Sequence, residues 1–280
     1  MEELIRDKIK QYVLESKENF HQEIGGPYYE EPIVQFAEGE DAIFQQYKKV
    51  VSGEHLTPQE AWEGRFGVNS WQGGTVISIA LPIQEKIRKS NRVQQVWPSK
   101  EWALLRAYGD DVFLTQLRGY LIQLMEELGH RAVAPAAEEG FKIHATDKGP
   151  VSNWSERHIA YAAGLGTFSI NDGFITEKGI AVRFCSIITD LKLTPDVRSA
   201  ESHTANCLLC SKGTCGACIS RCPVGAITRE GHDKIKCRNY VYGEESRNLA
   251  ASYGGNPKTG SGCGLCQVKV PCEGRNPMRA

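Results

Sequence analysis

The sequence predicts a mixed α/β (α+β) domain followed by a cysteine-rich segment. Between residues 75 and 135, an apolar stretch of strand length is followed by a long amphipathic helix and a second short strand. This order is typical of layered α/β or α+β domains. Nine of the ten cysteines then fall between residues 207 and 272, which is less than a quarter of the chain. We therefore expect two domains, comprising residues 1–198 and 199–280.

Hydrophobic periodicity indicates the elements of the first domain. Residues 2–17 carry apolar side chains at helical spacing. Residues 75–82 are an apolar run that ends in proline, which is typical of a buried strand. Residues 111–128 predict a long helix, and Gly129 is expected to cap its C-terminus. Short strands are expected at 131–135 and 183–191, and loops around short helices at 20–73.

The cysteines form two groups whose spacing indicates iron–sulfur chemistry. From Cys215 the sequence reads C-x2-C-x3-C-P, the end of the bacterial run that ligates [4Fe–4S] clusters. Short loops can place successive thiolates on neighbouring corners of a cubane, and Pro223 restricts the residue before it and turns the chain away. The first group comprises Cys207, Cys210, Cys215, Cys218 and Cys222, and the second comprises Cys237, Cys263, Cys266 and Cys272.

In two-cluster ferredoxins the cysteine before proline ligates the other cluster, and this rule divides the thiolates into two sets. The spacing departs from that pattern at one point, because four residues separate Cys210 from Cys215. Cys207 is left over and is an alternate to Cys210. The expected ligands are Cys210, Cys215, Cys218 and Cys272 for cluster A, and Cys222, Cys237, Cys263 and Cys266 for cluster B.

Other interpretations of these cysteines compete with this one. A zinc ribbon could use two C-x2-C pairs, Cys207 with Cys210 and Cys215 with Cys218. A disulfide framework would need an exported chain, and nothing in the sequence suggests export. Two iron–sulfur clusters are the interpretation that the spacing favours.

Composition and charge describe a globular protein that can bury a sizeable core. The chain has 280 residues, is 41% hydrophobic and carries a formal net charge of −1, which gives no global nucleic-acid footprint. Its N-terminus has no signal-peptide character, and no apolar run approaches the length of a membrane span. We therefore expect a cytoplasmic protein with no membrane partner, in a reducing compartment that suits thiolates.

The middle of the chain carries a second informative stretch. Asp147 opens the sequence Asp-Lys-Gly-Pro-Val, an Ala-Gly-Leu-Gly turn follows at 163–166, and Asn171 comes shortly after it. A Thr-Asp-Leu sequence at 189–191 ends the last strand of the domain. From propensity alone, Asp147 is a turn residue beside glycine and proline. The glycines of the turn are a weak dinucleotide signal, because the third glycine of that fingerprint is missing.

With the two cysteine groups, this order of motifs resembles epoxyqueuosine reductase, whose core is shared with the corrinoid-dependent reductive dehalogenases. The resemblance is clear from about residue 140 to 275. It implies a nitroreductase-like, cobalamin-binding α/β domain and a ferredoxin-like domain with two [4Fe–4S] clusters. It also implies an oxidoreductase that removes an oxygen or a halide from its substrate, with electrons relayed through the clusters to the corrinoid.

The resemblance also assigns roles to individual residues. Asp147 matches the proton-donating aspartate of the family, and Asn171, Ile175 and Ser186 fall where the family lines its corrinoid pocket. Cys185 stands where those reductases usually have glycine. The implied partners are an external electron donor, such as ferredoxin or flavodoxin, and a substrate that is either tRNA-borne epoxyqueuosine or a small molecule.

Two alternative functions follow from the same residues. The chain could be an electron-transfer iron–sulfur protein that holds no corrinoid, or a cytosolic reductive dehalogenase. An oxygenated substrate is favoured over an organohalide, because the sequence shows no export signal.

Overall fold

The computed structural model describes residues 1–279 and is mixed in its secondary structure, as predicted. Helices α1 to α11 span Glu2–Glu15, Ile43–Val50, Pro58–Phe66, Glu85–Arg92, Lys100–Leu104, Leu114–Glu127, Glu156–Ala162, Leu208–Lys212, Ala217–Arg221, Lys234–Val241 and Glu244–Ser252. Strands β1 to β8 span Ile33–Glu38, Thr75–Pro82, Ala132–Val133, Ile143–Thr146, Gly149–Ser152, Gly166–Phe168, Phe174–Thr176 and Val182–Thr189. None of the helices within these described residues combines the length and the apolar character needed to cross a membrane.

A four-stranded antiparallel sheet in the order β1-β2-β8-β3 lies at the centre. β2 and β8 pair along their whole length, so that Ser78 lies opposite Ser186 and Ile79 lies opposite Cys185. Side chains opposite each other point to the same face of a sheet. The serines therefore share one face, and the isoleucine and the cysteine share the other. β4 with β5 and β6 with β7 form two separate hairpins.

Apolar side chains cover both faces of the sheet. On one face, Ile79 packs in a core with Ile9 of α1 and Leu121 of α6. On the other face, Ile188 packs with Ile159 of α7. Full burial of such a side chain contributes about 1.5–3 kcal/mol. This two-sided burial explains why β2 is buried at every position and reads as an unbroken apolar run.

Most of the elements predicted from periodicity are confirmed. β2 has the expected bounds, α1 ends two residues early, and β3 and β8 occupy the two expected short strands. The predicted long helix is α6, but a π-helical segment, Leu105–Phe113, precedes it. Gly129 follows α6 with a φ of +82°, which is a backbone conformation that glycine adopts readily. Strand β1 was missed, because it is short and lies in a region that lacks regular periodicity.

The cysteine-rich segment consists of short helices joined by irregular loops. Gly264, between Cys263 and Leu265, shows how tightly these loops pack on the first domain. Its φ is +63°, and a Cβ there would come within 1.8 Å of the Trp102 ring. Only glycine allows this approach.

A buried ion-pair cluster joins the last cysteine loop to α4. The side chain of Glu273 is 8% exposed and accepts hydrogen bonds from Arg92 Nε at 2.8 and 2.9 Å. Arg88 lies 3.7 Å from the same carboxylate, and the backbone N–H of Lys269 donates to it at 2.8 Å. Because Glu273 follows Cys272 directly, these contacts fix the position of that cysteine.

Backbone hydrogen bonds add to these contacts between the cysteine-rich segment and the rest of the chain. The N–H groups of Ile180 and Ala181 donate to the carbonyls of Cys272 and Glu273, at 2.7 and 3.2 Å. Farther along α4, Asn91 Nδ2 donates to the carbonyl of Cys263 at 3.1 Å. The cysteine-rich segment is therefore held to α4 at Cys263 and to the residues before β8 at Cys272 and Glu273.

We expect the change Glu273→Gln to lower the free energy of unfolding by about 3 kcal/mol, because Arg92 loses its buried counter-charge. Arg88 keeps a second partner, Glu30, at 3.0 Å. Urea unfolding measures this loss. The matched control is Glu85→Gln on α4, whose carboxylate pairs with Lys89 at 3.2 Å but is 51% exposed. The control should change nothing measurable. Equal effects of the two changes would show that the Glu273 ion pair does not contribute to the free energy of unfolding.

Candidate functional site

Four cysteines from three separate parts of the segment line one small cavity. They are Cys207, Cys215, Cys218 and Cys272. Its walls are mainly apolar and include Ile175 from β7 and Val270. The sequence places these thiols together because a short helix, a tight loop and the chain after Val270 all converge on β7.

Cys207 lies on this cavity, and Cys210 does not. The Cys207 residue is 5% exposed, whereas Cys210 is exposed and faces a different cavity. Burial alone would raise the pKa of the Cys207 thiol, but hydrogen bonds from the backbone of Cys210 and Ile170 and from the Ser169 hydroxyl outweigh it and lower that pKa. The Ser169 hydroxyl lies 3.6 Å from the Cys207 sulfur.

The pKa of the Cys210 thiol is shifted in the opposite direction. Burial and the neighbouring Cys207 thiolate raise the pKa of its thiol to about 11. Of the two cysteines left as alternates by the sequence, the geometry favours Cys207 as a ligand, because it lines the cavity with Cys215, Cys218 and Cys272 and Cys210 does not.

The remaining four cysteines of the segment form a second group. Burial, together with the neighbouring charges of Cys237 and Cys222, raises the pKa of the Cys263 thiol to about 12. Burial, and then the charges of Cys263 and Cys237, raise the pKa of Cys266. The Cys222 sulfur accepts a hydrogen bond from the backbone N–H of Ala226 at 3.2 Å.

The two groups adjoin each other. The charge of Cys218, from the first group, is among the causes that raise the pKa of Cys266 in the second. All ten cysteines of the described chain are free thiols. Within residues 1–279, no three His, Cys, Asp or Glu side chains are close enough to hold a single metal ion.

Asp147 lies at the exposed turn of the β4–β5 hairpin. The hydroxyl of Thr146 donates to the carbonyl of Gly149 at 2.6 Å and helps to close this turn. The proton-donating role implied by the resemblance needs a buried carboxyl, and Asp147 is exposed in this structure.

The hairpin nevertheless lies against the helix that carries a cysteine of the second group. A Cβ on Gly149 would approach the Lys234 Cβ to 2.5 Å, at the start of α10. Asp172 lies 3.1 Å from His232 Nδ1 and 3.7 Å from Lys234 Nζ. Burial lowers the pKa of His232, but hydrogen bonds to Asp172 and Cys237 outweigh it and raise that pKa to about 9. Charged side chains thus surround the contact between the hairpin and α10.

Two of the three residues expected to line a corrinoid pocket are buried against the cysteine-rich segment instead. The Asn171 amide donates to the carbonyl of Cys266 at 3.2 Å, and its oxygen accepts from the N–H of Gly173 at 3.0 Å. Ile175 is 1% exposed and forms a wall of the four-cysteine cavity.

The third residue, Ser186, is fully buried in the sheet. Its hydroxyl donates to Glu156 at 2.6 Å and accepts from the Trp154 indole at 3.0 Å. Arg118, from α6, lies 3.6 Å from Glu156. Asn171, Ile175 and Ser186 therefore do not fit a corrinoid pocket, because all three side chains are buried in contacts within the protein.

Sequence reasoning missed two side chains that complete these sites, Ser169 and Arg118. Ser169 could have been found as a polar residue just before Asn171, in the stretch that carries the family motif. Arg118 gave no local signal, since its partner Glu156 is 38 residues away along the chain.

Comparisons with known proteins support the resemblance found in the motifs. No protein-family model matches the chain. A curated protein named epoxyqueuosine reductase from Cyclobacterium marinum is 28% identical over 174 residues, which are 59% of this chain and 49% of that protein. One of the same name from Leadbetterella byssophila is 30% identical over 172 residues, with the same coverage. The chain thus spans about half the length of the curated relatives it matches.

The solved structure of epoxyqueuosine reductase from Streptococcus thermophilus is similar with a TM-score of 0.51 and 19% identity. It covers 96% of this chain and 66% of that one. At this identity the likeness shows the fold, which is mixed α/β in both. The suspected resemblance to epoxyqueuosine reductases, which are oxidoreductases, is confirmed.

Proposed function

We propose that this chain is an iron–sulfur oxidoreductase similar to epoxyqueuosine reductase, which reductively removes an oxygen from its substrate with electrons relayed through two [4Fe–4S] clusters. The observation that carries the proposal is the division of eight buried or half-buried thiols into two adjoining groups of four, one of them around a single cavity. Bound clusters of this kind would supply electrons one at a time.

Cluster A is held in this proposal by the four cysteines that line the cavity, with Cys207 in place of Cys210. Hydrogen bonds from Ser169 and from backbone N–H groups stabilise the Cys207 thiolate. Cluster B is held by Cys222, Cys237, Cys263 and Cys266, as the spacing predicts. Cys218 and Cys266 pack in one cluster, and the charge of Cys218 acts on Cys266, so the two sites are neighbours.

The substrate proposal rests on the names of the relatives. Both curated relatives are named epoxyqueuosine reductase, and one solved structure of that enzyme is described with an epoxyqueuosine-modified tRNA stem loop. We therefore favour a tRNA-borne or related oxygenated substrate over an organohalide. An external carrier such as ferredoxin or flavodoxin would supply the electrons.

Asp147 is the proposed proton donor to the departing oxygen. Its hairpin lies against α10, so the carboxyl is on the cluster B side of the molecule. The Bacillus subtilis reductase is described with a catalytic aspartate loop swung out of the active site. A substrate bound over the exposed turn of the hairpin, beside α10, would cover Asp147 and supply the burial that a general acid needs.

A second candidate function is electron transfer without a corrinoid. The side chains of Asn171, Ile175 and Ser186 favour it, because all three are buried in contacts within the protein. The proposed electron path therefore runs only through the two cysteine groups. Anaerobic visible spectra with added cobalamin test whether the chain holds a corrinoid, and turnover of an epoxyqueuosine-containing stem loop separates the two candidates. We expect cluster absorption alone after gel filtration, and corrinoid bands that persist would contradict the lack of fit at these three residues.

The wild-type chain should contain about eight irons and eight sulfides, in two cubanes. We expect Cys207→Ser to lose about half of both, because it removes a ligand of cluster A, and Cys210→Ser to keep them. Iron and sulfide analysis of anaerobically prepared protein measures this. Stoichiometric zinc without sulfide would refute the clusters, and the reverse pattern for the two variants would exchange the roles of the cysteines.

Asp147→Asn should lower turnover of an epoxyqueuosine-containing stem loop by roughly 10²–10⁴-fold, the usual effect of removing a positioned general acid. Cluster content should stay unchanged, since the residue is exposed and far from the thiols in sequence. The control is Glu139→Gln, an exposed carboxylate just before the hairpin. If Asp147→Asn turns over at the wild-type rate but melts at a lower temperature, Asp147 is a turn residue.

A further inference from the structure

The four-cysteine cavity reaches the surface of the protein beside α8. Pro271, which lines it, is exposed, and Leu209 and Pro277 belong to the same lining. Residues 210–214, at the C-terminal end of α8 and just beyond it, are exposed at every position. The first cysteine group therefore has an apolar opening toward solvent, whereas the Asp147 hairpin lies against α10 near the second group.

Two chain segments border this opening, residues 207–217 and 268–279, and their exposed charges are all positive. The exposed basic side chains of these segments are Lys212, Lys269, Arg275 and Arg279. The one carboxylate of the two segments, that of Glu273, is 8% exposed and lies 2.7 Å from Arg92. Glu273 is therefore already neutralised inside the protein and does not offset the exposed cations.

Carboxylates from other parts of the chain offset these cations only in part. Glu177 and Glu201 are exposed and line the larger cavity next to α8, together with Lys212 and Arg279. Lys269 and Arg275 do not belong to that lining. Four exposed cations against two exposed carboxylates leave the surface around the opening positive, although the whole chain has a formal net charge of −1.

An acidic protein fits this surface better than RNA does. RNA-binding surfaces stack bases on aromatic side chains, and residues 207–217 and 268–279 contain no Phe, Tyr, Trp or His. An apolar centre with a polar rim is instead the usual anatomy of protein–protein contacts. Opposite charges on two proteins speed their encounter more than they strengthen the complex, which suits a carrier that must leave after each electron.

We propose that the surface formed by residues 207–217 and 268–279 is the docking site of a small acidic electron-carrier protein, of the flavodoxin or ferredoxin type. The proposal rests on the proposed function, because the carrier would deliver its electron to cluster A through the opening. In each encounter the carrier is oxidised by one electron and cluster A is reduced by one, and no bond forms or breaks. A second encounter supplies the other electron of a two-electron reduction.

Stopped-flow mixing of photoreduced flavodoxin with the iron-loaded full chain measures this delivery. We expect a second-order rate constant that falls as salt is added, because salt screens the attraction between the two proteins. The double change Lys212→Glu with Arg275→Glu should lower it roughly tenfold at low ionic strength. The matched control is Lys8→Glu with Lys49→Glu, which alters the net charge equally at exposed sites on α1 and α2. Those helices line neither cavity, so the control should change the rate constant far less.

Equal rate constants for the two double variants, or a wild-type rate constant that salt does not change, would overturn the proposal. Competition by an epoxyqueuosine-containing stem loop would also overturn it, because the surface would then bind RNA. Photoreduced deazaflavin, a small molecule that needs no docking site, should reduce wild type and both variants at the same rate.

A failure of the proposed function is recognised separately. A chain without iron and sulfide would contradict the clusters, but the binding of labelled flavodoxin, measured by fluorescence anisotropy, would still decide the docking site. We expect the Kd to rise roughly tenfold for Lys212→Glu with Arg275→Glu and to stay unchanged for the control. Equal Kd values for the two double variants would overturn the docking site whether or not the clusters are present.

Discussion

The position of the last cysteine loop depends on one carboxylate, that of Glu273. The loops that carry Cys263, Cys266 and Cys272 contain almost no regular structure, so their own backbone hydrogen bonds cannot fix them. Arg88 and Arg92 of α4 hold Glu273 in a buried ion pair. The backbone N–H of Ala181, the residue before β8, donates to the carbonyl of Glu273. The thiol of Cys272 therefore meets the other three only because α4 and the sheet are already in place.

This dependence explains which parts of the fold could be predicted from the sequence. β2 and α6 have strong periodic patterns because their neighbours cover a whole face, and both were found within a few residues. The division of the cysteines into two groups followed from local spacing. The choice between Cys207 and Cys210 did not, since it depends on Ser169 and Ile170, which lie some forty residues earlier and meet Cys207 only in the folded chain.

The roles that the resemblance assigned to single residues also depend on contacts between residues that are far apart in the sequence. Ser186 was expected to line a pocket, but the hydroxyl is shared between Glu156 and Trp154, which come from the chain around the start of α7. Burial raises the pKa of Glu156, and Arg118 lies 3.6 Å from its second oxygen, so the Ser186 hydroxyl belongs to a buried polar cluster inside the protein. A matching residue type at a matching position does not reveal whether its polar atoms are already satisfied.

The arrangement of the two cysteine groups gives the proposed electron path a direction. Cys210 and Lys212 border an open cavity next to the first group, and the Asp147 hairpin packs on α10 next to the second. Since Cys218 and Cys266 bring the groups together, an electron that arrives beside α8 would cross the first group before it reaches the second. The Asp147 hairpin and the charged pair of Asp172 and His232 lie beside that second group, where the proposed proton transfer would take place. An electron donor that docks beside α8 and a substrate beside α10 would then occupy different surfaces. Neither would have to leave before the other could bind.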